Sequence, residues 1–141
     1  MYQKIAVPLD NSTTDKAILP HVRKLAKHTG ASLVLVHVAD GFGARMQEKL
    51  NLADSLEIKN DQAYLDQISM ELQKEGFQAK AVLVRGMEPA QGILSVVGQE
   101  GCDLIAMATH GHQFIEDMIL GSVADTLRHS TDIPILMIRS S

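Results

Sequence analysis

Two glycine-containing segments carry residue types suited to binding an anion. The first is Ala108-Thr109-His110-Gly111; the second, after the nine residues from His112 to Leu120, is Gly121-Ser122. Gly111 lets backbone N–H groups approach an anion closely. Gly121-Ser122 precedes Val123, Ala124, Leu127 and Arg128, which read as the start of a helix, and Asp125 stands three residues after Ser122 in capping-box spacing. In that reading the N–H groups of Ser122, Val123 and Ala124 point outward from a helix N-terminus, whose partial positive charge favours phosphate, and the Ser122 hydroxyl adds a donor. The two segments together would hold a polyphosphate without any lysine. The same residues have a plain structural reading, with Gly111 as a turn and Ser122 as an N-cap, and residue types alone leave both open.

The elements that must position these segments follow from hydrophobic patterning. Short apolar runs recur at Ile5 to Leu9, Leu33 to Val38, Ala81 to Val84, Leu104 to Ala108 and Ile135 to Ile138. Each is continuously apolar, as strands covered on both faces of a parallel sheet are. Between the first two, Ala17, Ile18, His21, Val22, Leu25 and Ala26 repeat at helical spacing, with start signals at Ser12 to Asp15 and Gly30 as the C-terminal cap. Pro89 opens a helix carrying Ile93, Val96 and Val97, and Gly101 closes it. Tyr64, Leu65, Ile68 and Leu72 give a further helix from Asp61 to Gly76. The stretch from Asp40 to Asn60 commits to no period, and the expectation there is a mobile, partly helical insertion. Strands alternating with helices, without hairpin signals, predict an open five-stranded parallel sheet with helices on both faces. In such α/β sheets ligands bind outside the carboxyl ends of the strands, at the switch point. Asp10-Asn11-Ser12, Val38-Ala39-Asp40, Arg85-Gly86 and Thr109 to His112 all fall at that rim.

Composition narrows the function. The chain has 141 residues, 45% of them hydrophobic and 21% charged, which suits one globular domain spanning 1–141. A net charge of −4 provides no positive field for nucleic acid. No run of apolar residues is long enough for membrane insertion, and the five-residue run near Met1 is too short for a signal peptide, so the expected compartment is the cytoplasm. Cys102, the one cysteine, sits between Gly101 and Asp103 in an apolar context and reads as a small buried residue. His37 lies inside an apolar run and reads as a satisfied core histidine. His110 and His112, with Glu116 and Asp117 nearby, lack the ligand spacing of a structural zinc site, and no metal site is expected.

Taken in order, these motifs resemble the universal stress protein (Usp) family, whose nucleotide-binding members carry G-x2-G-x9-G-[S/T]. Here the pattern reads A-x2-G-x9-G-S across Ala108, Gly111, Gly121 and Ser122, and the opening I-A-V-P-L-D, the L-V-H-V of Leu35 to Val38, the V-R-G-M-E-P-A and the I-P-I-L-M-I are similar as well. The resemblance implies a Rossmann-like sheet of order 3-2-1-4-5, of the adenine nucleotide alpha hydrolase-like type. It also implies a homodimer through the last strand, Ile135 to Ile138, and a site for ATP or AMP, with Mg2+ arriving on the phosphates. By the same resemblance Asp10 and the Pro8-Leu9 backbone face the nucleoside, and the Val38 backbone meets adenine. Met107, Ala108 and Gly111 line the ribose and phosphate side, while Gly121, Ser122, Val123 and Ala124 hold the phosphates.

Three positions depart from the family pattern. Ala108 replaces the first motif glycine, His112 stands where relatives carry a permanent cation, and Asn11 replaces a glycine after the first strand. No P-loop lysine, arginine finger or catalytic triad is evident at the rim, so the reading is a regulatory nucleotide binder with unknown protein partners, no catalytic residue and at most slow ATP hydrolysis. The alternative is a nucleotide-free dimeric stress protein of the same fold, which Ala108 favours and Gly111, Gly121 and Ser122 oppose. A small hydrolase using Ser122 or His110 is a third.

Overall fold

Successive side chains of a strand point to opposite faces, so each apolar run must meet two different layers of helices. A computed structural model, describing residues 1–39, 47–109 and 117–140, shows how the chain does this. In order, the elements are β1 (Lys4–Pro8), α1 (Asp15–Thr29), β2 (Ser32–Val38), α2 (Gln47–Lys74), β3 (Ala79–Val84), α3 (Pro89–Glu100), β4 (Leu104–Thr109), α4 (Asp117–Ser130) and β5 (Ile135–Arg139). The strands form one parallel sheet of order β3-β2-β1-β4-β5.

Ile5, Val7, Leu33, Leu35, Leu104, Ala106 and Ala108 bury themselves against α1 and α2, where Ile18, Val22, Leu65 and Leu72 meet them. The intervening Ala6, Val34, Val36, Ile105 and Met107 pack against Ile93 and Val97 of α3 and Val123, Ala124 and Leu127 of α4. This division is the one that right-handed crossovers impose when the chain first moves from β1 toward β3 and then returns to β4 and β5. The continuous apolar reading holds for the three inner strands. The two outer strands, β3 and β5, are mostly half-buried, and Met137 of β5 is 45% exposed.

One expectation about helices is extended and one is corrected. The segment expected to be an insertion up to Asn60 is helical from Gln47, continuous with the helix expected from Asp61, giving 28 residues in α2. Toward its middle Leu56 is 54% exposed, whereas Leu65 and Leu72 further along are fully buried. Residues 40 to 46 of that expected insertion lie outside the described residues. Second, α4 starts at Asp117, ahead of Gly121 and Ser122 rather than at them. Both α1 and α3 end as the sequence suggests, on left-handed Gly30 and Gly101, whose N–H groups return to Ala26 and Val97. Among the described residues no helix is long and apolar enough to cross a membrane.

Candidate functional site

The strand ends open where the sheet reverses direction. The register of β1 with β4 runs only from Ile5 with Leu104 to Ala6 with Ile105. By contrast β1 stays paired with β2 as far as Pro8 with Val36, and β4 with β5 as far as Thr109 with Arg139. The two central strands therefore part toward their carboxyl ends. In open α/β sheets the crevice that takes a ligand lies at such a switch point, which here falls between the Val7-Pro8-Leu9 stretch and the Met107-Ala108-Thr109 stretch. Leu9 and Ala108 put their side chains into the α1-side core, and Met107 puts its own into the α3- and α4-side core. What these residues offer the crevice is mainly their backbone. The methyl that distinguishes Ala108 from the motif glycine is thus a core atom, in a residue only 7% exposed.

At the end of β2 the hydrogen-bond ladder is interrupted. Its last rung is Leu9 N–H on the Val36 carbonyl, 2.8 Å. The next parallel rung would draw on the Leu9 carbonyl, but that oxygen accepts from His37 Nδ1 at 2.8 Å instead. A carbonyl only accepts, so Nδ1 carries a proton. Nε2 of the same ring lies 3.1 Å from Asp61 Oδ2 of α2. His37 is thus half-buried with both nitrogens partnered, as the sequence suggests, and it leaves the Val38 main chain directed toward β1 beyond the last rung. On the other side, Ala39 N–H bonds the Val84 carbonyl and keeps the end of β2 on β3. Gly92 of α3 lies close beneath: a Cβ there would sit 2.7 Å from Val38 Cγ2 and 3.1 Å from Cγ1.

The turn after β1 is built from side chains. Asp10 Oδ1 accepts from Ser12 N–H, the Ser12 hydroxyl and the Thr14 hydroxyl. This gathers the turn before α1, a local Asx arrangement. Asp15, 2% exposed, accepts Asp10 N–H on Oδ1 and both Asn11 N–H and the Tyr64 hydroxyl on Oδ2. Burial raises the Asp15 carboxyl to about 6, with the nearby Asp10 charge adding to it against the opposing effect of the Tyr64 and backbone hydrogen bonds. The Tyr64 phenol is pushed well above its ordinary range by burial and by its bond to Asp15, and so stays protonated and donating. Asn11 takes a left-handed backbone, φ 61°, and its Nδ2 donates to Asp61 Oδ1 at 3.1 Å. Sequence reasoning singles out none of Asp15, His37, Asp61, Tyr64 or Gly92 as a site residue. Asp15 reads there only as a helix start, and Asp61 and Tyr64 lie in a helix with no motif.

The residues expected on a phosphate side are described only in part. Gly111 and His112 lie outside the described residues. Gly121, Ser122, Val123 and Ala124 all sit inside α4, and Val123 and Ala124 turn their side chains into the core. A helix beginning at Asp117 uses the N–H groups from Gly121 onward for its own ladder. This corrects the expectation that Ser122, Val123 and Ala124 hold free N–H groups at a helix N-terminus. Among the described residues no group of three or more His, Cys, Asp or Glu side chains is placed to hold a metal ion.

The comparisons with known proteins agree with this architecture. The family model of the universal stress protein family matches residues 1–139. A universal stress protein of Methanocaldococcus jannaschii is 26% identical over 99% of this chain and 96% of its own length. A solved structure of that protein superposes with a TM-score of 0.86 at 28% identity, covering 100% of this chain and 98% of that one. The universal stress protein of Archaeoglobus fulgidus in complex with dAMP superposes with a TM-score of 0.68 at 24% identity, covering 97% and 98%. A universal stress protein in complex with cAMP does so at 0.68 and 17%, covering 99% and 98%. With a parallel sheet of order 3-2-1-4-5, central strands β1 and β4 that part toward their carboxyl ends, and a family match over nearly its whole length, this chain belongs to the universal stress protein family.

Proposed function

We propose that this protein binds an adenine nucleotide, ATP or AMP, in the crevice between β1 and β4 and acts in the cytoplasm as a regulatory stress-response module. The parting of β1 and β4 after Ala6 and Ile105 carries this reading, because it leaves backbone rather than bulky side chains along the crevice. The base meets the Val38 main chain beyond the last β1–β2 rung. The Pro8-Leu9 backbone and Asp10 border the nucleoside, and Met107 and Ala108 border the ribose. Ala108 is no obstacle, since its methyl packs into the α1-side core. That relatives of the same fold have been solved with dAMP and with cAMP supports the choice of nucleotide. Gly111, His112, Gly121, Ser122, Val123 and Ala124 remain the proposed phosphate side. A phosphate there draws on N–H groups that α4 otherwise pairs, which weakens its hold. With Mg2+ brought by ATP itself, the protein supplies binding and orientation, and hydrolysis is slow at most.

We further propose a homodimer through β5, which stands at the edge of the sheet and carries the exposed Met137. Sedimentation of the wild type against Met137→Lys tests it: a dimer that the substitution dissociates supports the reading, and a wild-type monomer refutes it. The start of α4 at Asp117 favours a second reading, a nucleotide-free dimer of the same fold. Calorimetric titration of nucleotide-stripped protein with ATP and AMP, with and without Mg2+, separates the two. Binding that Gly121→Val abolishes supports the nucleotide site, and no heat at millimolar ATP selects the nucleotide-free dimer.

A further inference from the structure

Asn11 is the one non-glycine residue with a positive φ among the described residues, and it stands at the crevice rim directly after Asp10. A left-handed backbone is free for glycine and costs any other residue, Asn least. Here the conformation is held from two sides: Asn11 N–H bonds Asp15 Oδ2 at 2.9 Å, and Asn11 Nδ2 bonds Asp61 Oδ1 at 3.1 Å. Asp61 comes from α2, fifty residues away in sequence, and is itself only 13% exposed, with its other oxygen on His37 Nε2. The carboxylate therefore cannot swing freely to solvent, and its Oδ1 is presented to Asn11 from a fixed position. His37 in turn holds the Leu9 carbonyl, so one chain of contacts runs from α2 through β2 to both sides of Asp10.

We propose that Asp61 is a positioning residue for the nucleotide site, acting through Asn11 to hold the left-handed turn that carries Asp10 to the crevice. The proposal rests on the nucleotide-binding reading above. It explains how a chain with Asn at this turn keeps the conformation that glycine would give without help: the side chain that glycine lacks is tied to a half-buried carboxylate. Asp61 itself touches no part of the proposed ligand.

The test is a thermodynamic cycle built on glycine. At position 11 glycine adopts φ 61° unaided, so Asn11→Gly removes the need for Asp61. ATP affinity is measured by calorimetry for the wild type, Asp61→Ala, Asn11→Gly and the double variant, and amide exchange at positions 10 and 11 is followed by NMR without nucleotide. Loss of a hydrogen bond to a charged group predicts that Asp61→Ala weakens ATP about tenfold in the wild-type background. In the Asn11→Gly background the same substitution is expected to change affinity by less than about twofold, with exchange at positions 10 and 11 rising only where Asn11 is present. An equal loss in both backgrounds would overturn the proposal, because Asp61 would then act on general stability or through His37 alone. If the wild type binds no ATP, the nucleotide reading fails, and the exchange cycle decides the positioning of the turn on its own.

Discussion

Lowering the pH should stabilise this protein through Asp15. The unfolded carboxyl titrates near 3.8, and burial raises the folded one to about 6. Between those values the folded state binds a proton that the unfolded state has released, so stability falls as pH rises through the window and the loss is complete above it. At about 1.36 kcal/mol per pH unit the whole effect is about 3 kcal/mol, of which about 1 kcal/mol appears between pH 7 and pH 5. Urea denaturation at the two pH values, on the wild type and on Asp15→Asn, isolates the group, because Asn cannot titrate. The wild type is expected to gain about 1 kcal/mol on the variant when the pH drops from 7 to 5. A carbon-13 titration of the Asp15 carboxyl should show its midpoint near 6. Parallel stability curves, or a midpoint no higher than the unfolded value, would refute the reasoning. The amides of Asp10 and Asn11 and the Tyr64 hydroxyl would then outweigh the cost of burying the charge. Asp103 acts in the opposite sense: although slight burial pushes its carboxyl up, the N–H groups of Gln3 and Lys4 hold it below the ordinary value, so its stabilisation is lost as pH falls.

Three further outcomes follow from packing. Gly92→Ala places a methyl 2.7 Å from Val38 Cγ2, so α3 or the end of β2 must move; about 1–3 kcal/mol of stability is lost, and adding Val38→Ala should recover part of it in urea melts. Leu127→Ala empties a site of zero exposure between α4 and the sheet and should cost about 2–5 kcal/mol in the same assay, whereas a loss under about 1 kcal/mol would place Leu127 outside the core. Cys102 is 5% exposed and burial pushes its thiol up to about 11, so a disulfide reagent at about pH 8 should modify it only after denaturant is added, and prompt labelling of the native protein would contradict that.

The fold is legible because each inner strand must satisfy two apolar layers. That demand writes continuous runs such as Leu33 to Val36 into the sequence, and the run length and the intervening helical periods then fix an open parallel sheet. Where the demand lapses, so does the signal. Leu56 of α2 faces solvent, and the residues from Asp40 to Asn60 show no period from which the helix could be read. The start of α4 is misread for a different reason: Gly121-Ser122 has the composition of a helix start, but a glycine and a serine inside a helix cost only about a kilocalorie per mole between them and do not forbid one. The positions of Asp10 and Val38 at strand ends are legible in the apolar runs, whereas Pro8, Leu9, Met107 and Ala108 are expected at a nucleotide only from the family resemblance. The brace behind them is not legible, since Asp15, His37, Asp61 and Tyr64 meet only when α2 is laid across the ends of β1 and β2.

That brace bears on how far the departures from the family pattern reach. Ala108 looks from sequence like an obstacle to a nucleotide, yet its methyl belongs to the packing of α1 on the sheet. Asn11 looks like a mild substitution for glycine, yet the fold ties it to Asp61 and through Asp61 to His37 and the Leu9 carbonyl. A substitution at the rim is therefore to be judged by which layer its side chain joins. One that joins the core leaves the ligand side unchanged. One that joins a hydrogen-bonded brace makes the ligand side depend on a residue in another element, and here that element is α2, whose Asp61 and Tyr64 reach the turn from the far side of β2.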